Sequence, residues 1–152
     1  MARTELVDNL NKALSLELAA VIQYSQHSYL VTGHEREVFK DWFRDRAEEA
    51  QEHAESLGDK IVALGGVPTV EPGMIRQSVD VSEMLKQDLE LEREALNTYM
   101  AAWASCDDKD LPQKFWLEER ISDEQIHIEE LEKLTSERTA RINAEKIVLK
   151  EV

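Results

Sequence analysis

Ile121-Ser122-Asp123-Glu124-Gln125-Ile126-His127-Ile128 sets an acid and an imidazole, three residues apart, into an apolar helical stripe. The stripe runs Phe115, Leu117, Ile121, Glu124, Ile128, Leu131 and Leu134, with His127 on the same broad face. That period marks a helix whose apolar side faces a core. Residues three apart share a face, so Glu124 and His127 are carried inward together. A buried carboxylate without a partner costs several kcal/mol. The stretch therefore predicts a polar centre inside a helical core, and partners for it must come from elsewhere in the chain.

Three further helical segments supply them. The spacing predicts a first helix over 4–32, with Leu6, Leu10, Leu14, Glu17, Val21, Tyr24, His27 and Val31 on one stripe and Gly33 as its stop. A second runs over 35–64, with Phe39, Trp42, Phe43, Arg46, Ala50, His53, Leu57, Ile61 and Leu64, ended by Gly65-Gly66. The third is expected over 82–105 with Ser82 as cap, and carries Leu85, Leu89, Glu92, Leu96, Tyr99 and Trp103. The fourth is expected over 111–141, with Pro112 in its first turn, leaving a tail at 142–152. The first two helices meet at Gly33 and the last two at Asp107-Asp108-Lys109-Asp110, so each pair is an antiparallel hairpin. The link at 65–81 has 17 residues, including Pro68, Pro72 and Gly73. Extended, it spans ~56 Å, against ~30 Å for a 20-residue helix. It can cross the bundle lengthwise. An all-α four-helix bundle of two hairpins and one long crossover follows, in a single domain over 1–152.

Composition agrees. Of 152 residues, 42% are hydrophobic and 33% charged, with 5 Gly and 3 Pro, a balance suited to amphipathic helices. The net charge of -14 argues against nucleic acid, whose phosphates need clustered Lys and Arg. Cys106 is the single cysteine, so no intrachain disulfide and no Cys-x-x-Cys metal or redox motif exists. No apolar run reaches the ~18 residues of a membrane span, and the N-terminus is unlike a signal peptide. A cytoplasmic protein without membrane partners is expected.

Glu17 and Glu92 sit mid-stripe as Glu124 does, between Leu14 and Val21 and between Leu89 and Leu96. Counted from the hairpin tips at ~1.5 Å per residue, Glu17, His53, Glu92 and His127 fall at matching heights. Three core acids and two imidazoles call for a shared counter-charge; Arg46 and Arg120 are the nearest basic residues, and bound cations would supply it directly. The hairpins also repeat each other: a Leu-x-Leu-Glu segment precedes a tyrosine seven residues after its glutamate, Glu17 to Tyr24 and Glu92 to Tyr99. On the second helix the position three before His53 is Ala50, not an acid. Glu49, four before, reaches the same face through a one-residue bulge and is favoured over Glu52, which points about 100° away. The alternative is that this helix gives His53 alone.

The chain resembles a bacterioferritin-type ferritin over nearly its whole length. The likeness rests on Leu16-Glu17-Leu18, Ile22-Gln23-Tyr24 and His27; on Glu49 with His53, followed by Ile61-Val62-Ala63-Leu64-Gly65-Gly66-Val67-Pro68; on Glu83-Met84-Leu85, Asp88-Leu89 and Leu91-Glu92; and on residues 123–128 with Leu131-Glu132. Ferritin-like di-iron and di-manganese proteins use two single Glu and two Glu-x-x-His pairs. The resemblance implies Glu17, His53, Glu92, Glu124 and His127 as catalytic ligands of two irons per subunit, with manganese as the other metal such a set suits. It implies Glu49 as a sixth ligand, Glu49 and Glu124 as bridges, and Tyr24 as a hydrogen-bonding partner; Tyr99 follows by internal symmetry. Bacterioferritin haem is held by a Met two residues before the second-helix His. Gln51 stands there, so no haem is expected. The tail has no Gly or Pro to turn into the family's short fifth helix, which weakens a 24-subunit shell and leaves a 12-subunit shell of the Dps-like relatives, or a dimer.

The resemblance implies ferroxidase activity and iron storage in a homo-oligomer, with Fe(II) and O2 or H2O2 as partners. A non-storing di-metal oxidase or peroxidase of rubrerythrin-like type is the alternative, and a metal-free interaction bundle a third. The three tryptophans read as packing or contact residues, Cys106 as an inert thiol and His34 as an exposed turn. His27 reads equally as core or as support for the centre.

Overall fold

A computed structural model describes residues 2–135. It contains α1 (Ala2–Leu30), α2 (Glu35–Ala63), α3 (Val81–Ser105) and α4 (Leu111–Leu134). The expected extension of the fourth helix to 141 and the tail at 142–152 lie outside the described residues. Helix α1 packs on both α2 and α3, and α4 packs on α3. Its double duty explains why α1 buries an unusually wide band: Leu6, Leu10, Ala13, Leu14, Leu16, Ala19, Ala20 and Tyr24. From α2 come Phe43, Leu57 and Ile61, from α3 Met84, Leu89 and Leu91, and from α4 Leu117 and Leu131. Phe39, Trp42 and Phe43 form an edge-to-face aromatic cluster that reaches Tyr24.

The turns follow from backbone chemistry. Gly33 adopts φ 76°, a left-handed conformation that costs glycine little. Just beyond it the Arg36 guanidinium donates to the Ser28 and Val31 carbonyls, satisfying the end of α1. At the end of α2, Gly66 donates to the Ile61 carbonyl, and a Cβ there would meet Val7 Cγ1 at 2.6 Å, so only glycine fits.

The crossover is stapled to α1 along its length. The Asn11 amide donates to the Val67 carbonyl at 3.0 Å and accepts from Thr69 N–H at 2.8 Å. Gly73 N–H donates to the Ser15 carbonyl, Arg76 N–H to Gln23 Oε1, and Gln26 to Gln77. The link thus runs from the start of α1 towards its end and delivers Val81 beside the first hairpin tip. Helix α3 is therefore antiparallel to α1, and this sets the register that pairs Glu17 with Tyr99, Tyr24 with Glu92, and His27 with Asp88.

Two expectations differ from the structure. The cap of α3 is Asp80, whose carboxylate accepts from Glu83 N–H, and not Ser82, which lies one residue inside the helix. An extended aspartate two residues earlier closes the same first turn with a charged acceptor. Phe115, 61% exposed, and Leu134, 37% exposed, lie off the buried face of α4, which turns Leu117 and Leu131 inward instead. Among the described residues no helix is long and apolar enough to cross a membrane.

Candidate metal centre

Each helix delivers a polar side chain to one level of the bundle: Glu17 from α1, His53 from α2, Glu92 from α3, and Glu124 with His127 from α4. The three glutamates are buried. Ligand atoms of Glu17, His53 and Glu124 lie within 4.8 Å of one another, as do those of Glu92, Glu124 and His127. Glu124 belongs to both groups and divides its carboxylate between them. Its Oε1 is 3.7 Å from His53 Nδ1 and its Oε2 is 3.8 Å from His127 Nδ1. His53 Nδ1 stands 3.4 Å from Glu17, and His127 Nδ1 stands 3.8 Å from Glu92. The two rings stack with centroids 6.1 Å apart.

These separations are long for hydrogen bonds. They suit atoms that each sit roughly 2 Å from a common cation. His127 Nδ1 and Glu124 Oε2 are buried without hydrogen-bond partners, a condition that native cores rarely leave unexplained. The donor set is oxygen and imidazole nitrogen, which fits iron or manganese. Three ionised carboxylates would largely balance two divalent ions.

The tyrosines support the centre crosswise. Tyr24 of α1 donates to Glu92 of α3 at 2.7 Å, and Tyr99 of α3 donates to Glu17 of α1 at 2.8 Å. Burial, then the adjacent glutamate charge, raises both phenol pKa values well above normal, so both remain O–H donors. Burial and the charges of Glu92 and Glu17 push the Glu124 carboxyl well above its ordinary range. Burial also disfavours ionised Glu92, yet contacts with Glu124, His127 and Tyr24 override it and hold Glu92 at about 2. Burial disfavours the imidazolium of His53 and His127 as well. Glu17 overrides it for His53 and Glu92 for His127, and both pKa values rise.

Glu49 is placed apart from both groups. Its Oε2 lies 2.9 Å from His127 Nε2, the ring nitrogen opposite the one facing Glu92 and Glu124, and accepts from the Arg46 guanidinium at 3.0 Å. No bulge interrupts α2, so a residue four before His53 stays on the rim, while the inward position three before it is the buried Ala50. Glu52 is exposed.

Three features went unread in the sequence. Trp42, Arg46 and His53 recur at the same spacing as Trp116, Arg120 and His127, so Ala50 is the counterpart of Glu124 and Glu49 that of Asp123. Each arginine lies over its tryptophan, at 5.1 and 5.7 Å, and acts on the histidine of the other helix, Arg46 on His127 and Arg120 on His53. The repeat was visible as spacing. A buried set one turn from Glu92 was signalled by Asp88 four residues before it and by His27 on the α1 stripe, but not their pairing: His27 and Asp88 meet at 3.1 Å with both side chains fully buried, and Gln23 donates to the same carboxylate.

A family model of the ferritin-like domain matches residues 7–140. The bacterioferritin of Brucella melitensis is 35% identical over 153 residues, covering 92% of each chain. A ferritin-like, diiron-carboxylate protein from Bacillus anthracis superposes with a TM-score of 0.85 at 34% identity, over 89% of this chain and 98% of its own. The bacterioferritin of Rhodobacter capsulatus, solved with a metal-free dinuclear site and haem iron, gives a TM-score of 0.79 at 25% identity over 98% of each chain.

Proposed function

We propose, for a chain that belongs to the ferritin-like domain family, that it binds two Fe(II) ions between its helices, oxidises them, and stores the product in a homo-oligomeric shell. The observation that carries this is the divided carboxylate of Glu124, one oxygen in each of two histidine-containing groups. Glu17 and His53 hold one ion, Glu92 and His127 the other, and Glu124 joins them. Two ions held side by side can each pass one electron to a single oxidant. O2 then takes two electrons and two protons to give H2O2, or H2O2 takes the same to give two waters.

The chain's own groups prepare that step. The tyrosine O–H donors fix one oxygen of Glu17 and of Glu92, so neither carboxylate must reorient as iron arrives. Binding displaces the proton carried by Glu124 and any carried by the imidazoles, because ligands bind metal deprotonated. Gln51 stands where a haem-binding methionine would, and the proposed function uses no haem. Storage and shell assembly rest on the bacterioferritin relatives.

Anaerobic Fe(II) titration followed by O2 or H2O2, with particle mass measured in the same sample, tests the proposal. Two ions per chain, oxidation faster than in buffer and a large closed particle are expected. Glu92→Gln should abolish the rapid phase while leaving helix content intact. No uptake, or oxidation no faster than buffer, would falsify the metal function. A dimer that still oxidises iron would shift the assignment to the non-storing oxidase or peroxidase.

A further inference from the structure

The two ion positions share a ligand plan but not a surrounding. Behind His127 stands a carboxylate: Glu49 Oε2 lies 2.9 Å from Nε2 and is itself held by Arg46 at 3.0 Å, with the guanidinium braced over Trp42. A carboxylate at that distance favours the neutral tautomer protonated on Nε2, which frees Nδ1, 3.8 Å from both Glu92 and Glu124, to ligate. A carboxylate on the far nitrogen orients a ligating imidazole and raises its basicity. His53 has no equivalent. Among the described residues, the acids within 4 Å of it are Glu17 and Glu124, both on the inward nitrogen Nδ1. Asp123, the counterpart of Glu49 by the internal repeat, does not reach it within that distance. The counterpart of Glu124 on α2 is Ala50, so no second acid enters the core from that helix to even out the pair.

We propose that Glu49 is a positioning residue, not a bridge, and that it makes the two metal positions unequal, so the Glu92–Glu124–His127 position fills before the Glu17–His53–Glu124 position. This rests on the two-metal reading above and specifies its order of filling. Arg46 holds the half-exposed Glu49 towards His127; without it the carboxylate would turn to solvent. The second ion then meets a Glu124 already ordered by the first.

Anaerobic calorimetric titration with Co(II), read in parallel by visible absorption, tests this without turnover. The wild type should take two Co(II) per chain in two resolved steps. Glu49→Ala should weaken the tighter step roughly 10- to 100-fold, as loss of such a partner does elsewhere, and leave the weaker step in place. Glu49→Gln keeps an oxygen acceptor for Nε2–H and should fall between them. A bridging Glu49 predicts otherwise: both substitutions would damage both steps alike. That result, an unchanged titration in Glu49→Ala, or a wild type with one affinity class overturns the inference and leaves the two-metal reading standing. A wild type that binds no Co(II) overturns both. Should Glu49→Ala lose its helical circular dichroism, the metal-free wild type decides. Long-range 1H–15N spectra above the raised imidazole pKa should show His127 protonated at Nε2; protonation at Nδ1 overturns the proposal.

Discussion

Glu124 shows how one residue can be poor for stability and yet central to the proposed chemistry. It is buried among Glu17 and Glu92, and burial together with their charges keeps its carboxyl protonated far above the ordinary range. Glutamine has the same shape and no charge to suppress. Glu124→Gln should therefore raise the stability of the metal-free protein by roughly 0.5–2 kcal/mol, the usual yield of relieving a functional compromise. The same change should remove Fe(II) oxidation, since neither ion position keeps its shared ligand. Thermal melts in chelator beside oxidation assays check both halves. Glu124 and His127 were legible because they interrupt an apolar stripe. Glu49 was legible as a nearby acid, but its direction was not, because the spacing of four reaches the correct face of α2 while landing on its rim.

At the scale of elements, the helices owe their ends to a few specific contacts. The Asp80 carboxylate accepts from Glu83 N–H and faces the positive end of α3, the helix that carries Glu92 and Tyr99. Asp80→Ala should cost about 1 kcal/mol, and Ser82→Ala close to nothing, measured by denaturant unfolding of the two variants. The crossover depends on Asn11, which grips it through both ends of its amide. Asn11→Ala should leave the four helices formed but expose the link near Val67–Thr69 to limited proteolysis, detectable as a single early cleavage. The helices and the link were evident from period, glycine and proline. The staples were not, since an asparagine on a helix carries no mark of what it will hold 56 residues later.

For the whole molecule, rising pH should weaken the metal-free state and enlarge the stabilisation that metal brings. His53 and His127 have raised pKa values in the folded metal-free chain. Their contribution is fully present below the ordinary 6.5 and is lost as pH rises through the raised values. Glu124 acts in the same sense, gaining stability from its bound proton and losing it as pH rises through its own raised value. Glu92, held at about 2, contributes above its ordinary 4.5 and loses that contribution as pH falls towards 2. Metal-free Tm should thus decline above neutral pH. Metal replaces those protons, so the gain in Tm on adding Co(II) should grow over the same range. Paired melts in chelator and in Co(II) across that window test the signs; a gain that shrinks with rising pH contradicts them.

Helix period, the hairpin–crossover–hairpin order and the acids and imidazoles set on apolar stripes follow from residues close together in the chain, and sequence alone determined them. Which partner each side chain meets is a matter of register between helices, set by packing and by a link tied down far from the site. Only the tertiary structure decided that Tyr24 serves Glu92 while Tyr99 serves Glu17, that Asp88 answers His27, and that Glu49 stands behind His127. A local pattern can tell which way a residue faces along its own helix. It holds no information on what the opposite helix presents at that height.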